Sequence, residues 1–235
     1  MKTAEMQVTK IDSCGSDLSV VNAARVSFEK ESEWEFGDAN GIGWKELSQK
    51  DQKLISYLAR HKHTSPFNHC FASFRVKAPI FVARQLVKHK FLPWNEVSRR
   101  YVDSEPEFYI PEVWRKRAEN VKQGSSEDTI EHLTRYYGKG GKHGSDMPFD
   151  DAVAMCLEAY EWMLEVGVCP EQARMVLPQN TMTEWIWSGT LGAWADMCKL
   201  RLDPHAQKET REVAEQISGF MEDEFPVSWK ALLEN

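Results

Sequence analysis

The chain has few cysteines, no long apolar run and no surplus of positive charge. Its five cysteines (Cys14, Cys70, Cys156, Cys169, Cys198) are odd in number, widely spread and form no CxxC pair. That pattern predicts reduced, mostly buried thiols and a cytoplasmic protein, not a disulfide framework. The longest unbroken apolar run, Ala78 to Ala83, is far too short to cross a bilayer. The opening MKTAEMQVTK has no apolar core of a signal peptide, so secretion is not expected. The formal net charge is −7, and an acidic chain lacks the extended basic surface that a nucleic acid or an anionic membrane requires. A phosphate loop is missing too: Gly138–Gly144, GKGGKHG, lacks GxxxxGK[ST] spacing and reads as a flexible loop.

What is present suits a globular domain. The 235 residues are 42% apolar and 28% charged, with nine Trp, enough for one sizeable core. Neither an internal repeat nor a domain boundary is visible, so one domain over 1–235 is expected. Glu5 to Ile11 alternates as a strand, and Ser16-Asp17 caps a helix running to about Ser27. Glu29 to Gly43 reads as an acidic surface loop, and Trp44 to Arg60 as a helix with a basic end suited to the dipole. Glu107 to Ile110 reads as an edge strand closed by Pro111. Val113 to Val121 and Ser126 to Tyr137 read as charged helices. In the helix Phe149 to Val166, one side carries Phe149, Ala152, Val153, Cys156, Tyr160 and Met163, a core or subunit-interface face. Pro170 opens a short helix carrying Arg174, and Thr181 to Trp187 alternates as a strand with Trp185 and Trp187 on one face. A helix from about Ser188 places Thr190, Ala193, Trp194, Met197, Cys198 and Arg201 on one stripe. Val213, Ala214, Ile217, Phe220 and Met221 mark a last amphipathic helix, after which Trp229 docks the tail. About four strands and six or more helices make an α+β chain.

The chemistry concentrates between Phe71 and Tyr101. Phe71 to Val76 alternates as a strand, and Pro79 suits the first turn of a helix. On that helix Val82, Ala83, Leu86 and Val87 form an apolar stripe, while Phe81, Arg84, Gln85 and Lys88 share another face. Pro93 breaks the helical pattern, and the following loop carries Asn95, Glu96, Ser98, Arg99 and Arg100. From Arg84 to Tyr101 there are five Lys/Arg, one His and a single acid. A solvated basic face is the plain alternative. Against it, interleaved Gln, Asn, Ser and Glu suit an anionic small molecule with amide-like edges. Arg201 ends an apolar stripe, which fits either a snorkelling helix-end arginine or a functional one. His61, His63, His69 and Cys70 invite a metal-site reading, but no second cluster supplies more ligands at a metal-site spacing. A capped turn before the strand is the structural alternative.

Lys88-His89-Lys90, seven residues, then Ser98, with Asn95-Glu96 before and Arg100-Tyr101 after, resembles the signature of flavin-dependent thymidylate synthases. That family has Arg-His-Arg where this chain has lysines at 88 and 90. His63-Thr64-Ser65-Pro66-Phe67 with His69, the VKAPIFVARQ run, Ala173-Arg174 with Val176-Leu177-Pro178, and Leu200-Arg201 with His205-Ala206-Gln207 are similar to family segments in the family's order. The resemblance covers most of the chain except an insertion-like variable segment from about 115 to 148. It implies a single catalytic domain in a twisted antiparallel sheet packed with long helices, assembled as a homotetramer with shared active sites. It implies reductive methylation of dUMP to dTMP with FAD, NADPH as reductant and 5,10-methylenetetrahydrofolate as carbon donor, without a metal or a cysteine nucleophile. By the same resemblance Arg84, Gln85, Glu96, Ser98, Arg99, Arg100 and Arg174 bind dUMP, and Arg201 faces the pyrimidine as the catalytic charge. FAD contacts fall on His63, Ser65, Lys88, His89, Lys90, Phe91, Glu96, Thr190, Gly192 and Asp196. Asp196 stands where the family often has Asn, and Asn68 where it often has Glu. Two other readings stay open from the residues alone: a nucleotide-sensing regulatory protein that turns nothing over, and a metal-dependent hydrolase built on His61, His63 and His69.

Overall fold

Strand Phe71–Pro79 sits inside a four-stranded antiparallel sheet. Its alternation buries Ala72, Phe74, Val76 and Ala78 on one face and turns Ser73, Arg75 and Lys77 to the other. Strand Gln7–Cys14 pairs on one side, with Val8 opposite Val76. Strand Met182–Thr190 pairs on the other, with Trp185 opposite Val76 and Trp187 opposite Phe74. The short strand Trp94–Glu96 completes the sheet beyond it, with Trp94 opposite Trp187. The computed structural model describes residues 1–39, 42–119, 124–131, 134–137, 143–146 and 149–235.

Helices cover the inner face. Asp17–Arg25 contributes Val20 and Val21, and Gln49–Arg60 contributes Ile55 and Leu58. Leu191–Arg201 inserts Leu191, Trp194, Met197 and Cys198; Lys208–Glu224 inserts Val213, Ala214, Ile217 and Met221. A second apolar cluster gathers Phe108, Val153, Leu157, Tyr160 and Ala173 around the helix Phe149–Glu165. On that helix Met155, Trp162 and the following Val166 stay exposed. Among the described residues no helix is long and apolar enough to cross a membrane.

Several local expectations fail for identifiable reasons. The expected loop Glu29 to Gly43 contains Glu35–Ala39, half of a hairpin completed by Ile42–Glu46. The helix expected from Trp44 therefore starts only at Gln49, where Ser48 Oγ accepts from Asp51 N at 3.2 Å. Where charged helices are expected, at 113–121 and 126–137, the described residues contain strands: Trp114–Arg117 pairs with Ser125–Ile130, and Thr134–Tyr137 with His143–Asp146. Residues 138–142 of the expected glycine loop lie outside the described residues. Pro79 is the extended N-cap of helix Ile80–Leu86 (φ −69°, ψ 154°), not part of its first turn. Val87, expected on the apolar stripe, is the C-cap of that helix and is exposed. The strand at Trp187 runs on to Thr190, so the next helix begins at Leu191 and not near Ser188. Helix Lys208–Glu224 is not the last, because Pro226–Glu234 forms another that buries Trp229.

That C-terminal helix is capped from the other end of the sequence. Asp17, 3% exposed, accepts from Val227 N at 3.0 Å and from Ser228 N at 2.8 Å. A carboxylate thus satisfies two orphan N–H groups at a helix N-terminus. Asp17→Ala should lower unfolding stability by about 1–2 kcal/mol and speed amide exchange in 226–234. Unchanged urea midpoints and exchange would show that the latch carries nothing.

Candidate functional site

The segment after helix Ile80–Leu86 is built by a trade of hydrogen bonds. A continuing α-helix would send His89 N to Gln85 O. Instead His89 N bonds Leu86 O at 3.1 Å, and Gln85 O accepts from Arg201 Nη2 at 2.9 Å. The helix ends early, so Lys88 lies in the following turn while Arg84 and Gln85 stay on the helix. Arg201, the last residue of Leu191–Arg201, also donates from Nε to His89 Nε2 at 3.1 Å. Because Nε2 accepts, the His89 proton sits on Nδ1 and the ring is neutral. Burial, then the charge of Arg201, pull the His89 pKa down to about 4. Burial also lowers the Arg201 pKa, though a guanidinium stays charged at neutral pH. A partly buried cation is therefore fixed by two acceptors and keeps further N–H donors for a ligand.

The loop is then pinned to the sheet. Trp94 stacks on Trp185 with centroids 4.2 Å apart and meets Trp187 edge-on at 5.5 Å. Leu92 packs against Gly189, where a Cβ would lie 2.2 Å from Leu92 Cδ2. Trp94 Nε1 and Thr183 Oγ1 donate to the two Glu96 oxygens at 3.1 and 2.8 Å. Glu96, Arg99 and Arg174 line one cavity of about 520 Å³, beside Lys77 and Glu184. Ser98 and Arg100 meet in the adjoining turn, Arg100 Nε donating to Ser98 Oγ at 3.2 Å. Arg99 Nη1 donates to Ser104 O at 2.8 Å and Arg174 Nε to Glu171 O at 3.3 Å. Four cations (Lys2, Lys77, Arg99, Arg174) and four carboxylates (Glu96, Glu105, Glu107, Glu184) line this concavity; Arg99 and Arg174 suit a phosphate, and Glu96 a sugar or base edge.

A second cavity, about 700 Å³, is lined by His63, Phe91, Thr190, Gly192 and Asp196, five of the residues expected at the flavin. Thr190 caps the helix behind it, Oγ1 accepting from Ala193 N at 3.3 Å, and donates to Asn68 Oδ1 at 2.9 Å. A Cβ at Gly192 would lie 2.9 Å from that same oxygen, so a side chain there would crowd the cradle. Leu191 N is spent on Cys70 O at 2.9 Å and Ala193 N on Thr190 Oγ1, so Gly192 N is the first-turn donor left to meet a phosphate oxygen. Cavity, glycine cradle and helix end together fit a dinucleotide such as FAD. Ser65 is exposed in the turn beside Thr64, which lines the cavity where Ser65 does not; Lys88 and Lys90 lie exposed on the loop. Thr64, Phe67, Asn68, Lys199, Leu232 and Asn235 also line the cavity. The C-terminal pair carried no sequence signal, since only the docking of the last helix brings it there.

The histidine cluster does not converge. His61 and His63 both pack on Tyr57, at ring separations of 4.3 and 6.1 Å, and Cys70 is buried. Among the described residues no group of three or more His, Cys, Asp or Glu side chains is gathered as a metal site needs.

Known proteins share this architecture. The family profile described as Thymidylate synthase complementing protein matches residues 10–227. A flavin-dependent thymidylate synthase of Thermus thermophilus is 37% identical, covering 97% of this chain and 76% of the relative. One from Thermosipho africanus is 34% identical over 95% of this chain and 89% of its own. Among solved structures, a UMP/dUMP methylase PolB from Streptomyces cacaoi bound with 5-Br dUMP superposes with a TM-score of 0.78 at 27% identity, covering 100% of this chain and 97% of that one. Similarity of this reach, in sequence and in fold together, means that the chain belongs to the Thymidylate synthase complementing protein family, the flavin-dependent thymidylate synthases.

Proposed function

We propose that this chain makes dTMP from dUMP by reductive methylation, with FAD, with 5,10-methylenetetrahydrofolate as carbon donor and with NADPH as reductant. The observation that carries the reading is the Arg201 guanidinium, held by His89 Nε2 and Gln85 O with donors to spare. A uracil becomes reactive at C5 and C6 when negative charge on its carbonyl and imide edge is stabilised, which a preorganised cation in a partly buried site does well. Arg100, Arg99 and Arg174 bind the phosphate, while Glu96, Ser98, Gln85 and Arg84 position the sugar and base, Ser98 as a ligand and not a nucleophile. His63, Ser65, Phe91, Thr190, Gly192 and Asp196 hold the flavin, and Lys88, His89 and Lys90 add donors and charge at its polar edge. When bound, FAD supplies the hydride that the pyrimidine receives.

Only two of the five thiols, Cys70 and Cys198, are buried, fewer than the sequence suggests, and those two are unsuited to a covalent route. Burial pushes the Cys70 pKa up to about 11 and raises that of Cys198 as well, so neither is poised as a thiolate. Nucleotide and flavin candidates line two separate cavities of one protomer, and Phe91 and Tyr101 stay exposed beside them. That separation fits active sites completed by neighbouring subunits, and the family resemblance extends it to a cytoplasmic homotetramer. The same facts also fit a single catalytic domain over 1–235 with a variable stretch near 115–148. The sensor and histidine-hydrolase readings gain nothing from the fold or the relatives.

The purified protein should be yellow, release FAD on denaturation and convert dUMP to dTMP when given methylenetetrahydrofolate and NADPH. UMP serves as the parallel substrate, to test whether the sugar is selected. Colourless protein that cannot be loaded with FAD would count decisively against the reading.

Arg201→Ala should lower turnover by about 100- to 1,000-fold in protein that remains folded and flavin-loaded. Near-normal turnover would reduce Arg201 to a helix-end residue.

His89 gives the pH dependence. Its folded pKa of about 4 lies below the ordinary 6.5, so the fold favours the neutral ring. The associated stability is complete above pH 6.5 and is lost as pH falls toward 4. Ring NMR should show His89 neutral at pH 5.5. In Arg201→Ala its pKa should rise only part of the way, because burial, the larger cause, remains. A wild-type titration near 6.5 would contradict the arrangement.

A further inference from the structure

The side chains of Arg115, Glu209, Gln207 and Gln85 form an unbroken hydrogen-bonded run from the segment after 114 to helix Ile80–Leu86. Strand Trp114–Arg117 pairs with Ser125–Ile130, and Arg115 Nε donates across the hairpin to Ser125 Oγ at 2.7 Å. Arg115 Nη2 then donates to both oxygens of Glu209, at 2.8 and 3.0 Å. Glu209 stands in the first turn of helix Lys208–Glu224 and is 4% exposed. Gln207 Nε2 donates to Glu209 Oε2 at 3.0 Å, and Gln207 Oε1 accepts from Gln85 Nε2.

The polarity of this chain is dictated at one end. An ionised carboxylate accepts hydrogen bonds and cannot donate them. Burial alone would raise the Glu209 pKa; its own backbone N–H, Arg115 and Gln207 together hold it below the ordinary value. Gln207 must therefore turn its NH2 toward Glu209, which leaves its oxygen toward Gln85. Gln85 must in turn present its NH2 to Gln207. Flipping either amide would set oxygen against oxygen or NH2 against NH2. Gln85 Oε1 is thus left as an acceptor of fixed orientation.

We propose that Arg115, Glu209 and Gln207 are positioning residues that hold Gln85 with its Oε1 presented to a hydrogen-bond donor of the nucleotide, either an imide N–H or a sugar hydroxyl. This rests on the assignment of Gln85 to the dUMP site. The variable segment thereby gains a role, since its hairpin anchors the arginine that clamps Glu209. The same arrangement sets specificity, because a nucleotide lacking the donor leaves Oε1 unpaired.

The test is a double-mutant cycle on the flavin-loaded enzyme, with dUMP dissociation constants measured by calorimetry. Glu209→Gln keeps the shape but removes the acceptor-only charge, so Gln207 can turn over. Glu209→Gln and Gln85→Ala should each weaken dUMP binding by about 3- to 10-fold. The double variant should bind no more weakly than Gln85→Ala alone, since Glu209 acts through Gln85. Losses that multiply, or a Glu209→Gln variant that binds dUMP as the wild type does, would overturn the proposal. Should Glu209→Gln not fold, Gln207→Leu breaks the same chain and the cycle is read identically. N3-methyl-dUMP and a 3′-deoxy analogue identify the donor. The analogue missing it should bind wild type and Gln85→Ala alike, and an analogue pair that both keep the full Gln85 loss would also refute the assignment. Wild-type enzyme that neither binds nor methylates dUMP would fail the functional reading itself, a result distinct from an active enzyme with a multiplicative cycle.

Discussion

The stacking of Trp94 on Trp185 is the contact on which the site depends. It continues a run of buried aromatic contacts from Trp94 through Trp187, Trp194 and Phe74 to Phe220, on helix Lys208–Glu224. Trp194 Nε1 finds Ala72 O at 3.2 Å, whereas the indole N–H groups of Trp185 and Trp187 are buried without a partner among the described residues. Two unmet donors cost about 1–3 kcal/mol each. Aromatic packing of this extent offsets that, because fully burying each large ring contributes several kcal/mol. The result is a rigid wall behind a polar loop. Without Trp94 in place, Glu96 would lose the indole donor that orients it, and the Ser98–Arg100 turn would have no fixed origin. A loop of Lys, Asn, Ser and Arg has little apolar surface to order itself. Its geometry is borrowed from the sheet.

Arg201 shows the same economy at a helix end. Ten residues of mostly apolar helix deliver one guanidinium to the place where another helix stops. The Gln85 carbonyl given up by the early end of Ile80–Leu86 becomes its acceptor. The Arg201 side chain thus satisfies a terminal carbonyl of the other helix, and among the described residues it is held half-buried without a carboxylate partner. A carboxylate there would neutralise the charge; a neutral imidazole and a carbonyl orient the cation and leave it positive. That is the difference between a structural ion pair and a charge available to a ligand.

The sequence made the centre of this fold legible and left its periphery obscure. Period-two alternation in Phe71–Val76 and around Trp185 marks strands because one face is buried and the other polar. The hairpins at 35–46 and 114–130 carry no such contrast. Ser125–Ile130 is largely exposed on both faces, so its charged residues read equally well as a solvated helix. Residue types pointed to the loop at 88–101 and to Arg201, and the family resemblance added Arg174. Distance in sequence hid the rest: Asp17 capping Val227 and Ser228, Leu232 and Asn235 closing a cavity wall, Arg115 reaching Glu209. No local pattern encodes contacts that depend on how helices dock.

Charge distribution joins these threads. The chain is acidic overall, with a net charge of −7, yet cations crowd the loop after helix Ile80–Leu86. Acids elsewhere discourage extended polyanions, while Arg99 and Arg174 in the cavity suit a small anion. The two kinds of cation are placed differently, with Arg99 and Arg174 in the cavity and the others on the loop or at a helix end. Arginines stand at 99, 100, 174 and 201, where planar forks can read a phosphate or a ring edge bidentately. Lysines stand at 88 and 90, exposed on the loop, where a compact ammonium supplies charge without demanding one geometry. At such positions a change of cation would leave the charge in place. The same exchange at 201 would not be tolerable, because Nε and Nη2 of a single rigid group must reach His89 and Gln85 together while leaving a donor free.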